Sequence, residues 1–291
     1  MNIRLVKKKI KSVTNVRKIT KAMQMVSAVK MRKAQELEVE SRPYRDGLTE
    51  MIGKLSGKID PSQAELMQVD TTHAQKEIVV VFASNKGLAG AFNVSIFRHA
   101  LREYSSFNNI DVVTVGSKAT QFFGRMKGAH VIADFSGNNL LLEYSALFDF
   151  LLEKYKTGAY KKVSLIFTQY ISTLKSEVVS APLLPLSMVD MDLTKVTDEA
   201  SSNKNQDVLI EPSAQEILEQ LLLSYLEYKV RGAIISSEAV EHSARMMAMK
   251  SATDNATELI YDMKLLSNKL RQEKITNELL DMITAKESVE G

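Results

Sequence analysis

Residues 251–270 read SATDNATELIYDMKLLSNKL. Within them Ala252, Ala256, Leu259, Met263, Leu266 and Leu270 recur at 4-3-4-3-4 spacing, the heptad pattern of a helix that pairs with another helix. Alanine at two seam positions lets the partner backbone come close. The stretch lies inside a longer segment opened by Glu211-Pro212-Ser213. Ser213 is placed to cap a helix, and Glu216 completes a capping box. From there to about Thr284 there is no proline, and the one glycine is Gly232. That predicts about 70 helical residues, roughly 105 Å of helix. Past Leu270 the seam fails. Arg271-Gln272-Glu273-Lys274 is polar, and Ile275, Leu279, Met282 and Ile283 resume out of register. An apolar tip without an internal partner is expected to insert into another protein.

The other end has the same character. Residues 2 to about 57 hold no proline except Pro43 and no glycine before Gly47. Ile3, Val6, Ile10 and Val13 follow heptad spacing, and Val16, Ile19, Met23 and Val26 repeat it after a gap of three. The reading is a seam with a three-residue stammer, in a helix roughly 80 Å long. Pro43 is expected to bend this helix or to interrupt its pairing. The simplest way to bury two such seams on one chain is against each other, antiparallel. Separate association of each with other chains is the alternative.

Between the helices the period changes. Residues 77–82, 110–115, 129–133 and 163–167 are short β-branched runs, read as buried strands. Helical stretches at about 92–107, 117–127 and 139–156 separate them, and 178–184, ending at Pro185, reads as an edge strand. Strand and helix alternating in this way imply a mostly parallel, Rossmann-like sheet. Residues 58–75 read as a linker and 190–207 as a polar loop. The fold class is therefore an α/β domain inserted in a long antiparallel α-helical coiled coil. Its parts are an N-terminal helix over 1–57, the α/β domain over 76–190 and a C-terminal helix over 208–286.

Charge is distributed unevenly. Residues 1–33 hold 11 Lys or Arg and no acid, leaving 27 basic against 35 acidic residues elsewhere, a net of −8. This cationic arm suits nucleic acid, anionic lipid or an acidic protein surface, or is simply a solvated helix face. It has no aromatic residue before Tyr44, which argues against base stacking. There is no cysteine, so disulfides and thiolate metal sites are excluded. No apolar run reaches the roughly 18 to 20 residues that span a bilayer.

A search for chemistry comes back empty. No phosphate-binding Gly-x-x-x-x-Gly-Lys-Ser/Thr loop and no Gly-x-Ser-x-Gly elbow is present. Ser84 to Asn93 follows the first strand, where dinucleotide sites sit, but lacks Gly-x-Gly-x-x-Gly spacing. It reads as a tight turn. His73, His99, His130 and His242 are scattered, and none is read as having a second metal ligand at helical spacing. Catalytic, cofactor and metal sites are all expected to be absent. Met23, Met25, Met31 and Met246, Met247, Met249 cluster near the two ends. Methionine fills core gaps, and it also suits a surface that repacks against several partners.

These features resemble the gamma subunit of F-type ATP synthases, the central rotor stalk, over the whole chain. The resemblance rests on Lys18-Ile19-Thr20-Lys21-Ala22-Met23 with Met25-Val26-Ser27-Ala28 and Lys30-Met31-Arg32-Lys33. It rests equally on Ser237-Glu238, His242 to Met246, and Ala248 to Ala256. Arg271-Gln272 and Ile275-Thr276-Asn277-Glu278-Leu279 complete it. Two departures stand out: Ala89 replaces the family's loop cysteine, and where the family usually closes with a Gly-Ala after this helix, Met282-Ile283-Thr284-Ala285-Lys286 intervenes here. The absence of a cysteine-bearing chloroplast-type insertion and of a transit peptide points to a bacterial member. The resemblance implies a non-catalytic shaft inside three alpha and three beta subunits, with epsilon and the membrane c-ring at its foot. Met23, Arg271, Gln272 and Thr276 would contact beta, and Ile210 and Glu211 would lie near the c-ring. No cofactor and no nucleic acid is implied. The place implied is peripheral, on the cytoplasmic face of the bacterial inner membrane. A basic coiled-coil nucleic-acid-binding protein is the alternative, and a Rossmann-type enzyme is a third reading.

Overall fold

The computed structural model describes residues 2–56, 66, 76–137, 140–173, 175–186, 211 and 213–290. The expected linker and polar loop lie largely outside these residues. The elements are α1 (Ile3–Ser56), β1 (Lys76–Phe82), α2 (Phe92–Glu103), β2 (Ile110–Val115), α3 (Ser117–Phe123), β3 (His130–Asp134), α4 (Leu140–Lys156), β4 (Tyr160–Tyr170), β5 (Ser176–Leu184) and α5 (Ala214–Glu290). Contacts divide the chain into two units. One comprises the residues up to Ala28 together with those from Arg245 onward, and the other is Val29–Ala244. Helix α1 passes from the first unit into the second, and α5 passes from the second into the first. Chain direction in the two helices is therefore opposed.

The second unit carries one five-stranded sheet, order β3-β2-β1-β4-β5. β1 pairs parallel with β2 and β4, β2 pairs parallel with β3, and β5 closes the edge antiparallel to β4. Side-chain alternation along the strands sorts the core into two layers. Ile78, Val80, Phe82, Val113, Val163 and Leu165 face α4, α5 and the end of α1, through Leu147, Leu151, Leu218, Leu222, Leu226, Ile234 and Ile52. Val79, Val81, Val112 and Ile166 face α2 and α3 through Phe92, Ile96, Ala119 and Phe123. The parallel strands β1 and β2 are covered on both faces, which explains their unbroken apolar runs.

Helices α2 and α3 are shorter than their sequence pattern implies. The chain turns extended at Tyr104 after the first, and Gly124 caps the second. Helix α1 continues through Pro43. A proline in a helix removes one N–H, here the bond to the Val39 carbonyl. Val39 and Pro43 are both exposed, so water can satisfy that carbonyl.

One ionisable group is buried at the start of β2. Asp111 accepts hydrogen bonds from Tyr160 Oη (2.8 Å) and Lys76 Nζ (3.3 Å), and pairs with His130 Nδ1 (3.0 Å). Burial pushes its carboxyl up, but the bonds from Tyr160, His130 and Lys76 outweigh burial and leave its pKa lowered. The Tyr160 phenol is pushed up to about 12 by burial, then by its bond to Asp111. A carboxyl whose folded pKa is depressed adds stability above its unfolded pKa, near 3.9, and loses it as pH falls through the folded value. Asp111→Asn is expected to lower unfolding stability by about 1–3 kcal/mol at neutral pH. The gap to the unsubstituted chain should shrink below about pH 4, read by urea titrations across pH.

Candidate functional site

The crevice where α/β folds bind ligands lies beyond the carboxyl ends of the strands, where the order reverses. Here that point is between β1 and β4, and the chain fills it itself. The β1–β4 register ends at Val81 and Ile166, while β4 runs on to Tyr170. Helix α5 takes the vacant edge. Ser236 Oγ donates to Thr168 O (3.1 Å) and accepts from Tyr170 N (2.8 Å), and Thr168 N donates to Ser237 Oγ (3.4 Å). Val240 of the same helix joins the apolar layer beneath.

The neighbouring turn is held by its own side chains. Ser84 N and Ser84 Oγ donate to Asn93 Oδ1, and Ser117 N donates to Asn85 Oδ1 (3.0 Å). The turn's polar groups are thus spent on one another. At Gly116 (φ +99°) a Cβ would meet the Ala83 carbonyl oxygen at 2.0 Å, so β1 and β2 leave no gap at their ends.

No group of three metal-ligating side chains occurs among the described residues. The reading of the histidines needs one correction. His99 does have a carboxylate one helical turn away, with Nε2 3.3 Å from Glu103 Oε2, and Ser180 of β5 bonds to both. The spacing was visible in the sequence, but Ser180 comes from a distant strand. Three mutually bonded groups on the surface are a satisfied cluster with no open coordination position.

The first unit is built on paired seams. On α1 the inward positions are Ile3, Val6, Ile10, Val13, Arg17, Thr20, Gln24 and Ser27, an unbroken 3-4 alternation. The expected stammer is absent, and Val16, Ile19 and Val26 point to solvent. On α5 the inward positions are Met249, Thr253, Ala256, Ile260, Met263, Ser267 and Leu270. The sequence-derived seam is therefore corrected at two places. Leu259 and Leu266 are exposed (48% and 37%), while Ile260 is buried (6%). Ala256 is buried, and Ala252, Met263 and Leu270 are half-buried.

A hydroxyl pair lies in this corrected seam. Thr20 Oγ1 and Thr253 Oγ1 are 2.8 Å apart with Thr253 inward, and Ile260 and Ser267 follow one and two heptads on. Burying these small polar residues leaves no orphan. Ser27 donates to the carbonyl of Met23, and of the Thr20–Thr253 pair one hydroxyl donates to the other while the acceptor keeps its own proton for its helix, Thr20 for Arg17 O or Thr253 for Met249 O.

Turning polar residues inward leaves apolar ones outside. Val16, Ile19, Met25 and Val26 are about half or more exposed, among cations that make no ion pair among the described residues. Met23 is half-buried. On α5 every residue from Arg271 to Lys286 is exposed, including Arg271, Gln272 and Thr276 and the large apolar Ile275, Leu279, Leu280, Met282 and Ile283. Thr276 Oγ1 donates to Gln272 O (3.0 Å). Glu211 is exposed, and Ile210 lies outside the described residues.

Two long opposed helices, a Rossmann-like sheet whose ligand crevice is filled, and exposed apolar helix faces define a stalk-type assembly protein. The sequence model of a family described as ATP synthase matches residues 2–289. An ATP synthase gamma chain of Methylacidiphilum infernorum is 35% identical over 290 residues, covering 97% of each chain. One of Geobacter metallireducens is 36% identical over 296 residues, covering all of this chain and 99% of its own. Among solved structures, a chain of the Euglena gracilis mitochondrial ATP synthase in rotational state 3 matches with TM-score 0.66 at 19% identity. It covers 99% of this chain and 94% of that one. A Tetrahymena thermophila mitochondrial ATP synthase structure, described as central stalk and c-ring, matches with TM-score 0.59 at 22% identity. It covers 80% of this chain and 99% of that one. The chain belongs to the ATP synthase gamma-chain family. The nucleic-acid alternative finds no support among these relatives.

The corrected seam has a direct test. Ile260→Ala should destabilise helix pairing by about 2 kcal/mol. Leu259→Ala should stay within about 0.5 kcal/mol. Hydrogen–deuterium exchange of the amides around 250–270 separates the two, and equal effects would restore the sequence-derived seam.

Proposed function

We propose that this chain is the central-stalk rotor subunit of a proton-translocating F-type ATP synthase. It couples c-ring rotation to conformational change at the catalytic sites of beta and is not catalytic itself. The observation that carries this is the α5 end: residues 271–286 are helical and exposed, with large apolar side chains in water. Such a surface requires a partner. The filled crevice is consistent with a part that transmits force while chemistry resides elsewhere.

On this reading the shaft stands inside three alpha and three beta subunits. Arg271, Gln272 and Thr276 near the tip, and Met23 with its cationic neighbours on α1, contact beta. Val16, Ile19, Met25 and Val26 are exposed on the cationic helix, and adaptable apolar side chains suit a surface that slides past successive partners. The foot rests with epsilon on the c-ring, with Ile210 and Glu211 on that side. The working division of the chain is a shaft helix over 1–57, the α/β foot over 76–190 and a second shaft helix over 208–286. No described helix is long and apolar enough to cross a membrane, and the proposed attachment is through the c-ring. The proposed place is the cytoplasmic face of the bacterial inner membrane.

Two measurements test this. The chain, tagged and expressed with its own alpha and beta subunits, should co-purify with both in threefold excess, and ATPase turnover should depend on it. Failure of either sinks the proposal. Arg271→Ala with Gln272→Ala should leave the unfolding midpoint of the isolated chain unchanged, since both side chains are in water. In membrane vesicles it should lower ATP-driven proton pumping. Unchanged pumping would remove these residues from the beta contact.

A further inference from the structure

The tip of the β4–β5 hairpin is tied by directional bonds to both terminal helices. From α5, Ser236 and Ser237 hold the backbone of Thr168 and Tyr170. Two helical turns on, Ser243 Oγ donates to Thr173 O (2.7 Å). From α1, Gln35 Nε2 donates to the Tyr170 hydroxyl, which also meets Thr173 Oγ1 (3.2 Å). The tip is internally braced, with Ile171 N and Ser172 N donating to Lys175 O and Lys175 N to Ser172 O. All of these groups lie within one compact unit.

Away from the tip, Lys229 Nζ of α5 donates to Pro182 O of β5 (2.7 Å), and the buried contact between the helices and the sheet is otherwise made by apolar side chains: Leu218, Leu222, Leu226, Val230 and Ile234 of α5 and Ile52 of α1 against strand residues. Apolar burial resists separation but is non-directional, so it opposes sliding and twisting weakly. Hydrogen bonds have steep distance and angle dependence and do resist those motions. In a rotor, force entering through the α/β foot must reach the shaft helices as torque, which is a sliding and twisting load.

We propose that this hairpin tip is the torque anchor between foot and shaft, with Tyr170, Ser236 and Ser243 as positioning residues that set its stiffness. The proposal rests on the rotor reading above. The serines give α5 a fixed axial register against β4, and Gln35 gives α1 the same through one phenol. Both helices are thereby held to a single element, so neither can creep past the other when the foot is loaded.

The test uses the assembled complex, with a bead on the α/β foot and the alpha–beta ring fixed to glass. Angular fluctuation is recorded at a stalled catalytic dwell. Ser236→Ala with Ser243→Ala should raise angular variance about two-fold as these directional restraints go, while unloaded ATPase turnover stays unchanged. Tyr170→Phe, which removes one hydroxyl and keeps the ring, should raise it by less, and Ser236→Thr should restore the unsubstituted value. If the double variant fails to assemble, Tyr170→Phe alone decides. Rotation with unchanged variance in every variant overturns the anchor and leaves the rotor standing. An unsubstituted complex that hydrolyses ATP without rotating overturns the rotor reading and the anchor with it.

Discussion

Strand β4 outruns its neighbour β1, and the α/β unit depends on how that exposed edge is closed. The N–H groups of Thr168 and Tyr170 and the carbonyl of Thr168 have no strand to meet on that side. Buried backbone groups left unpaired are costly, so something must supply partners. Helix α5 does so with two consecutive serine hydroxyls and at the same time adds Val240 to one apolar layer and Leu218 to Ile234 to the other. The sheet is complete only when the last helix is present. One consequence is architectural, because the end of the chain must return to the domain that its middle builds. Another is chemical, because the crevice that holds a dinucleotide in enzymes of this fold is filled with protein.

The shaft follows from a different economy. A heptad seam made only of large apolar residues would hold two helices firmly and leave a polar exterior. Here Thr20, Ser27, Thr253 and Ser267 turn inward, with Ser27 bonded to its own helix and Thr20 and Thr253 bonded to each other. The apolar Val16, Ile19, Leu259 and Leu266 are left at the surface. Interior and exterior thus exchange character in part, giving a pair with apolar and cationic flanks. For a part that works by touching other subunits, that exterior is the functional surface.

Much of this was legible in the amino-acid order. The strands stood out because β-branched runs such as Ile78 to Val81 have no helical period, and the terminal helices because so few prolines and glycines interrupt them. The rotation of the helices about their own axes was not legible. Counting apolar residues favours Leu259 over Ile260 and Ile19 over Thr20, and only the three-dimensional meeting of Thr20 with Thr253 decides otherwise. The bonding roles of Ser236, Ser237 and Ser243 were not legible for a related reason. A serine in a long helix looks like surface until the open edge of β4 is known. Family resemblance pointed to Met23, Arg271, Gln272 and Thr276, of which periodicity had chosen only Met23.

The account stands on the terminal helices behaving as one shaft with the Thr20–Thr253 contact in its seam. The chain has no cysteine, so Thr20→Cys with Thr253→Cys introduces the only pair. Oxidation in the assembled complex should close a disulfide in high yield, and ATP-driven rotation of the foot should continue at an unchanged rate, because both helices turn together. Failure to close the disulfide, or rotation that stops when it closes and returns on reduction, would contradict the account.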